Sequence, residues 1–256
     1  NCGTGGFTAG QGTGFEYMVN PWLHYEAYGI TFVNNIIHDT DGAALGVNGG
    51  YNIVMANNTA YRVGQRDHMI EFNHGRRGCD GDTSQNVAGN CSRHQTNGGW
   101  GNTGGEEQYI PNKHIYVYNN IFYNPSGYAS PSFIQVPQGL ARPPANTNLP
   151  PTTRADEDLN LKNNVFWNGT NTDSIGIEDT AHCQNDNATS NITQLRRDNR
   201  FNTLQPELIN PAGGDFRPTS NSNIKTLNTI ALPTLSWSDL PARPIAPGGY
   251  TSLSLP

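Results

Sequence analysis

One pattern constrains this chain more than any other: a strand-like run, a pair of asparagines, then a second short run, written four times. Gly29-Ile30-Thr31-Phe32-Val33-Asn34-Asn35-Ile36-Ile37-His38 returns as Asn52-Ile53-Val54-Met55-Ala56-Asn57-Asn58-Thr59-Ala60-Tyr61. It returns as His114-Ile115-Tyr116-Val117-Tyr118-Asn119-Asn120-Ile121-Phe122-Tyr123, and last as Asp158-Leu159-Asn160-Leu161-Lys162-Asn163-Asn164-Val165-Phe166-Trp167. Ile30 and Phe32 alternate with Thr31 and Val33, the period-two signature of a strand. Asn34 to Asn57 spans 23 residues, the length of one rung of a parallel coil. After each pair a turn leads to a third short strand: Ala44–Val47, His68–Phe72, Ser132–Val136 and Ser174–Glu178.

Laying the copies over one another gives matched apolar columns. Ile30, Ile53, Ile115 and Leu159 form one, and Phe32, Met55, Val117 and Leu161 a second. On the third strands Leu45, Ile70, Ile134 and Ile175 align, as do Val47, Phe72, Val136 and Ile177. A chance excess of asparagine would not produce four such columns. In the same alignment Asn34, Asn57, Asn119 and Asn163 stack, and we assign the structural ladder of side-chain amides to them, as in cross-β ladders. Two insertions, 73–112 and 137–157, leave from the same corner, as when one side of a solenoid is elaborated.

Composition agrees with a narrow core wrapped by many turns: 34% of residues are hydrophobic, beside 33 Asn and 29 Gly. A net charge of −6 with only three lysines (Lys113, Lys162, Lys225) argues against a nucleic-acid partner. No run approaches the ~18 apolar residues of a membrane span. The chain starts at Asn1 without Met or a signal peptide, which reads as a processed or trimmed end. Cys79 and Cys91 lie twelve apart in a Gly/Asn/Asp-rich loop, which suits a local disulfide and an oxidising, extracellular setting. Zinc is the rival reading, and no C-x-x-C or His pair supports it. Cys2 and Cys183 are left unassigned. Asn-x-Ser/Thr triplets occur at Asn57, Asn90, Asn168, Asn187 and Asn191; we expect Asn57 to be buried in a turn, and Asn168, Asn187 and Asn191 to be the glycan candidates.

The Asn-Asn rungs and the terminal Asp215-Phe216-Arg217-Pro218 resemble the right-handed parallel β-helix superfamily that includes pectate-lyase-like proteins, over about residues 29–218. The resemblance implies an all-β chain: a right-handed single-stranded parallel β-helix (1–218) with long loop insertions on one side and an extended C-terminal tail (219–256). It implies a secreted protein and often a polysaccharide ligand. The superfamily's activities are diverse, so the fold alone does not choose among them.

In such enzymes the substrate cleft lies over the third strands. Their outward residues here are expected to be Ala44, Gly46 and Asn48, then Met69, Glu71 and Asn73, then Phe133 and Gln135, then Ser174, Gly176 and Glu178. Asn48, Glu71, Asn73, Gln135 and Glu178 make a polar strip able to bind a sugar chain, or a plain solvent-facing sheet. A lyase needs a base beside a uronate carboxylate and cations for the developing charge. Glu71 or His74 with Arg66, Arg76 or Arg77 are the candidates, though no lyase catalytic motif matches residue by residue. Asp80, Asp82 and Ser84 space oxygens as some Ca²⁺ loops do, without the closing glutamate. A turn held by the Cys79–Cys91 bridge explains that pattern nearly as well.

Two functions follow. The first is an extracellular structural subunit that binds itself, as a filament, sheath or surface layer, through open helix ends and an apolar-dotted tail. The second is a secreted, polysaccharide-lyase-like enzyme acting on an acidic polysaccharide over the third strands.

Overall fold

The computed structural model describes residues 5–10, 24–77, 100, 108–136, 158–170, 175–176 and 192–239. A short strand, β1 (Phe7–Ala9), precedes the coils. The first coil is β2 (Ala27–Val33), β3 (Ile36–Thr40) and β4 (Leu45–Asn48). The second is β5 (Gly50–Ala56), β6 (Thr59–Val63) and β7 (His68–Asn73), followed by an antiparallel pair, β8 (Gly75–Arg77) with β9 (Gln108–Ile110). The third is β10 (Lys113–Tyr118), β11 (Ile121–Asn124) and β12 (Ser132–Gln135), and the fourth holds β13 (Leu159–Lys162) and β14 (Val165–Asn168). One short helix, α1 (Ile192–Asp198), leads to β15 (Arg200–Phe201) and then to β16 (Leu208–Asn210) and β17 (Asp215–Pro218).

Each of the first three coils lays one strand in each of three sheets in the same order, and the fourth adds a described strand to the first two. The first sheet runs β2-β5-β10-β13, the second β3-β6-β11-β14-β15 and the third β1-β4-β7-β12. Every pairing within these three sheets is parallel. Stacked parallel sheets of this kind are compatible with a parallel β-helix or a related solenoid. The two expected columns of the first sheet hold: Ile30, Ile53, Ile115 and Leu159 are in register, as are Phe32, Met55, Val117 and Leu161. Leu45, Ile70 and Ile134 align on the third sheet, where the Ile134 N–H donates to the Ile175 carbonyl at 2.9 Å. The second sheet adds a stack of rings: Phe122, Phe166 and Phe201 lie in nearly parallel planes, stacked with centroids 4.6 and 4.7 Å apart.

The corners correct the position of the ladder. Asn34, Asn57, Asn119 and Asn163 carry φ of 60°, 56°, 59° and 56°, the left-handed conformation that asparagine tolerates and a sharp turn needs. That geometry aims their side chains outward, and the continuous ladder falls to the second asparagine of each pair. The Asn58 Oδ1 accepts from the Asn35 N–H and Nδ2 at 2.9 and 3.1 Å. Asn120 serves Asn58 in the same way, Asn164 serves Asn120, and Asn199 closes the run below. Each Nδ2 also donates to a strand carbonyl: Val33, Phe32, Met55, Val117 and Leu161 in turn. Of the first asparagines, Asn163 does donate to Asn119, at 2.8 Å, but as part of an outer row.

A second ladder stands at the next corner. The Asn124 Nδ2 donates to the Asn168 Oδ1 and the Asn168 N–H to the Asn202 Oδ1, with Ser130 bonded to both Asn124 and Asn168. Asn168 is wholly buried in it, which removes it as a glycan acceptor. Asn57 lies in a turn as expected but is exposed rather than buried.

The two ends of the stack differ. Below the fourth coil, α1 turns the Leu195 side chain into the core, and the Asp198 carbonyl accepts the Asn163 N–H at 2.7 Å. Above the first coil, β1 is the strand seen beyond β4 in the third sheet, with Phe7 stacked on Phe32 at 4.1 Å. After β15 the chain folds back over its own coils. Phe216 on β17 covers His38 and Tyr61 on the outside of the second sheet. Residues 228–239 then run as a strap across the outside of the first sheet. The described part of the tail thus lies on its own coils.

Candidate functional site

Two polar clusters lie on the outside of the coils. The first is the expected strip on the third sheet, where Thr8, Gly46, Glu71 and Gln135 form one row in register and Asn48 sits beside Asn73 in the next. Gly46 has a specific purpose in the row: a Cβ there would come within 2.9 Å of Glu71 Cγ and 3.1 Å of Thr8 Oγ1. The absent side chain lets Glu71 lie flat across the neighbouring rung. Buried His68 holds that carboxylate, with Nε2 3.0 Å from Oε2, and faces Asp67 at 3.6 Å with its other nitrogen. The Asn48 Oδ1 is buried without a hydrogen-bond partner among the described residues.

Other expected members are placed differently. Ala44, Met69 and Phe133, read as outward, are buried in the main core, because the chain is still rounding the corner from the second sheet and turns two successive side chains inward. Arg66 is an exposed corner residue whose backbone N–H donates to the Asp41 carbonyl, and among the described side chains Glu71 pairs with His68 rather than with Arg66. His74 follows β7 and is half-buried. Arg76 and Arg77 lie on β8, with their side chains outside the described part. Glu178, the Cys79–Cys91 pair, the Asp80, Asp82 and Ser84 loop, Asn187 and Asn191 all lie outside the described residues. Among the described residues no group of three or more His, Cys, Asp or Glu is arranged to hold a metal ion, and no helix is long and apolar enough to cross a membrane.

The second cluster escaped sequence reasoning. Gly29, Asn52, His114 and Asp158 occupy one column on the first sheet, all with positive φ. The Asp158 carboxylate accepts the His114 backbone N–H at 3.0 Å and contacts its ring Nδ1, which fixes the ring. The His114 Nε2 faces Asp239 of the strap at 3.0 and 3.1 Å. Lys113 Nζ reaches the same carboxylate at 2.6 Å, and the Tyr51 hydroxyl donates to it. Burial would raise the Asp239 carboxyl, but the bonds from Lys113, Tyr51 and His114 outweigh it and hold the group well below the usual carboxylate range. Burial and the Asp239 charge together push the Tyr51 hydroxyl far up, and burial with the Asp158 charge raises Tyr116. Aromatic rings surround the cluster: Trp237 of the strap lies over Gly29 and 5.8 Å from Tyr51, and Tyr25 and Trp100 pack behind. The signals in the sequence were faint: one of only three lysines, and a histidine in the column of Gly29 and Asn52.

No protein-family model, curated protein or solved structure matches this chain.

Proposed function

We propose that the chain is a right-handed single-stranded parallel β-helix of the pectate-lyase-like kind, acting outside the cell as a structural subunit that binds itself. The observation that carries this reading is the first-coil end. There β2 and β3 pair on one side only among the described residues. Beside their outer edges Ile36 is 57% exposed, and Ile30, Phe32 and Val33 are half-buried. An unpaired edge with apolar side chains is a template for another chain. The opposite end carries α1 and β15. Because residues 228–239 lie on their own coils, we assign the contact between subunits to the coil end rather than to that stretch of tail.

Negative-stain microscopy of the native material beside its sedimentation profile tests the proposal. Regular polymers or discrete oligomers are expected; a uniform monomer at every concentration overturns it.

The row Thr8, Gly46, Glu71 and Gln135 favours a second reading, a lyase-like enzyme on an acidic polysaccharide. Its support is the His68-held carboxylate laid over a glycine on the outside of the third sheet. A monomer that releases unsaturated, newly absorbing products from an acidic polysaccharide would make this reading primary.

A further inference from the structure

We propose that Tyr51, Lys113 and His114 form a binding site for the carboxylate of an acidic sugar chain, and that Asp239 is its built-in competitor. The receptor side of the contact is rigid. Tyr51 and Lys113 are register partners on adjacent strands of the first sheet. The His114 ring is held from behind by Asp158 on the next rung. Hydroxyl, ammonium and imidazole converge on one carboxylate, with Lys113 Nζ at 2.6 Å and His114 Nε2 at 3.0 Å. Groups preorganised on strands keep this geometry when the carboxylate leaves.

The ligand side is removable. No residue from 228 to 239 is buried. The strap is gripped at a few points by outward amides: the Asn163 Nδ2 donates to the Asn228 carbonyl, Asn119 bonds both backbone groups of Ile230, and the Asn52 Nδ2 donates to the Ser236 carbonyl. A segment with so little buried surface belongs to the low-stability end of a fold and opens locally. Lifting it exposes a site where Lys113 remains as a cation beside the His114–Asp158 pair, matched to one incoming negative charge.

What the strap places there indicates the class of ligand. Trp237 and Asp239 set a flat ring beside a carboxylate, the ring lying over Gly29 and Tyr51 and the carboxylate on Lys113 and His114. A uronate chain presents the same pair, a pyranose face that stacks on aromatic rings and a carboxylate. This site lies on the first sheet, apart from the Glu71 row on the third, and its occupancy does not depend on self-association.

The test compares the full chain with its Asp239→Asn variant for binding of a defined oligogalacturonide, by calorimetry in low salt. An internal competitor lowers apparent affinity by the fraction of closed strap, so the variant is expected to bind at least ~10-fold tighter than the parent. Lys113→Ala in the same background is expected to abolish the gain, and a neutral oligosaccharide of equal length to bind neither form. Free galacturonate binding as tightly as the oligomer would assign the site to small carboxylates and overturn the sugar-chain part. Equal affinity of parent and variant, or a gain that survives Lys113→Ala, overturns the proposal. Asp239 is surface-exposed, and a circular dichroism spectrum unchanged by Asp239→Asn shows that the coils are intact. Should that variant fail to fold, Trp emission of the parent during titration follows the same displacement: a saturable change, lost in Lys113→Ala, is expected, and a flat titration overturns the proposal.

Discussion

At the corner between the first and second sheets two adjacent amides have separate tasks. The first residue of each pair must hold a left-handed backbone, and the second must fill both its donor and acceptor roles in a buried row. Asn58 shows what the second task involves: its Oδ1 accepts from Asn35, and its Nδ2 donates to the Phe32 carbonyl and to Asn120, both at 3.0 Å. Asn58→Ala strands several of these groups without water, each costing roughly 1–3 kcal/mol, so a loss of about 3 kcal/mol or more is expected in denaturant unfolding. Asn57→Ala is expected to cost about 1 kcal/mol, because alanine lacks the short polar side chain that lets asparagine tolerate the left-handed region, and Asn57→Gly close to nothing. Equal losses at the two positions would return the ladder to the first residue. The sequence made the pair legible but not the division of labour within it, because the two residues are identical and only the sign of φ separates them. The second ladder was hidden for a related reason. Asn124, Asn168 and Asn202 recur only in the lower coils, where the upper ones place Thr40 and Val63, so no full-length repeat marks them.

The strands and the strap are elements of opposite kinds. The strands are specified by alternation, and the apolar columns of the first and third sheets fall in the register that the aligned copies imply. The Phe122–Phe166–Phe201 stack extends this to the second sheet, and Phe166→Ala is expected to cost roughly 3–5 kcal/mol. The strap follows no alternation. Its docking relies on its own carbonyls, which any sequence possesses, and on Trp237 and Asp239, so its destination could not be read from its residues. Its stability is expected to depend on acid. The Asp239 carboxyl is held below its free value, so its contribution is complete above the unfolded value of about 3.9 and is lost as the pH falls through the depressed one. Hydrogen exchange of 228–239, corrected for intrinsic rates, is expected to show loosening below about pH 4 while the coil amides stay protected. Asp239→Asn is expected to loosen the strap at neutral pH and to remove that part of the acid response. Strap protection that ignores both changes would show that the backbone grips alone hold it.

For the molecule as a whole, the consequence of a stacked-coil architecture is that each coil is satisfied only by its neighbours, so unmet pairing collects at the ends. The ends here are unlike. At one, α1 buries Leu195 and Asn199 completes the ladder; at the other, the edges of β2 and β3 meet no described partner. Two copies joined through their first coils form a closed pair, whereas joining unlike ends leaves a contact that repeats without limit. Either arrangement places Ile36 at the joint. That residue is 57% exposed on the monomer, so Ile36→Lys removes little from the core and is expected to change unfolding stability by no more than about 0.5 kcal/mol. Its charge would nevertheless sit against a second apolar edge in any assembly built on this end. Sedimentation should therefore move from the assembled to the monomeric species at concentrations where the parent remains assembled, with no shift in the unfolding midpoint. Assembly unchanged by the lysine would place the joint elsewhere, with Ile209, Ile230 and Leu232 as the next exposed apolar side chains to alter. The distinction matters because Ile230 and Leu232 ride on the strap. If they form the joint, loosening the strap with Asp239→Asn dissociates the assembly as well, whereas a joint at Ile36 is untouched by it.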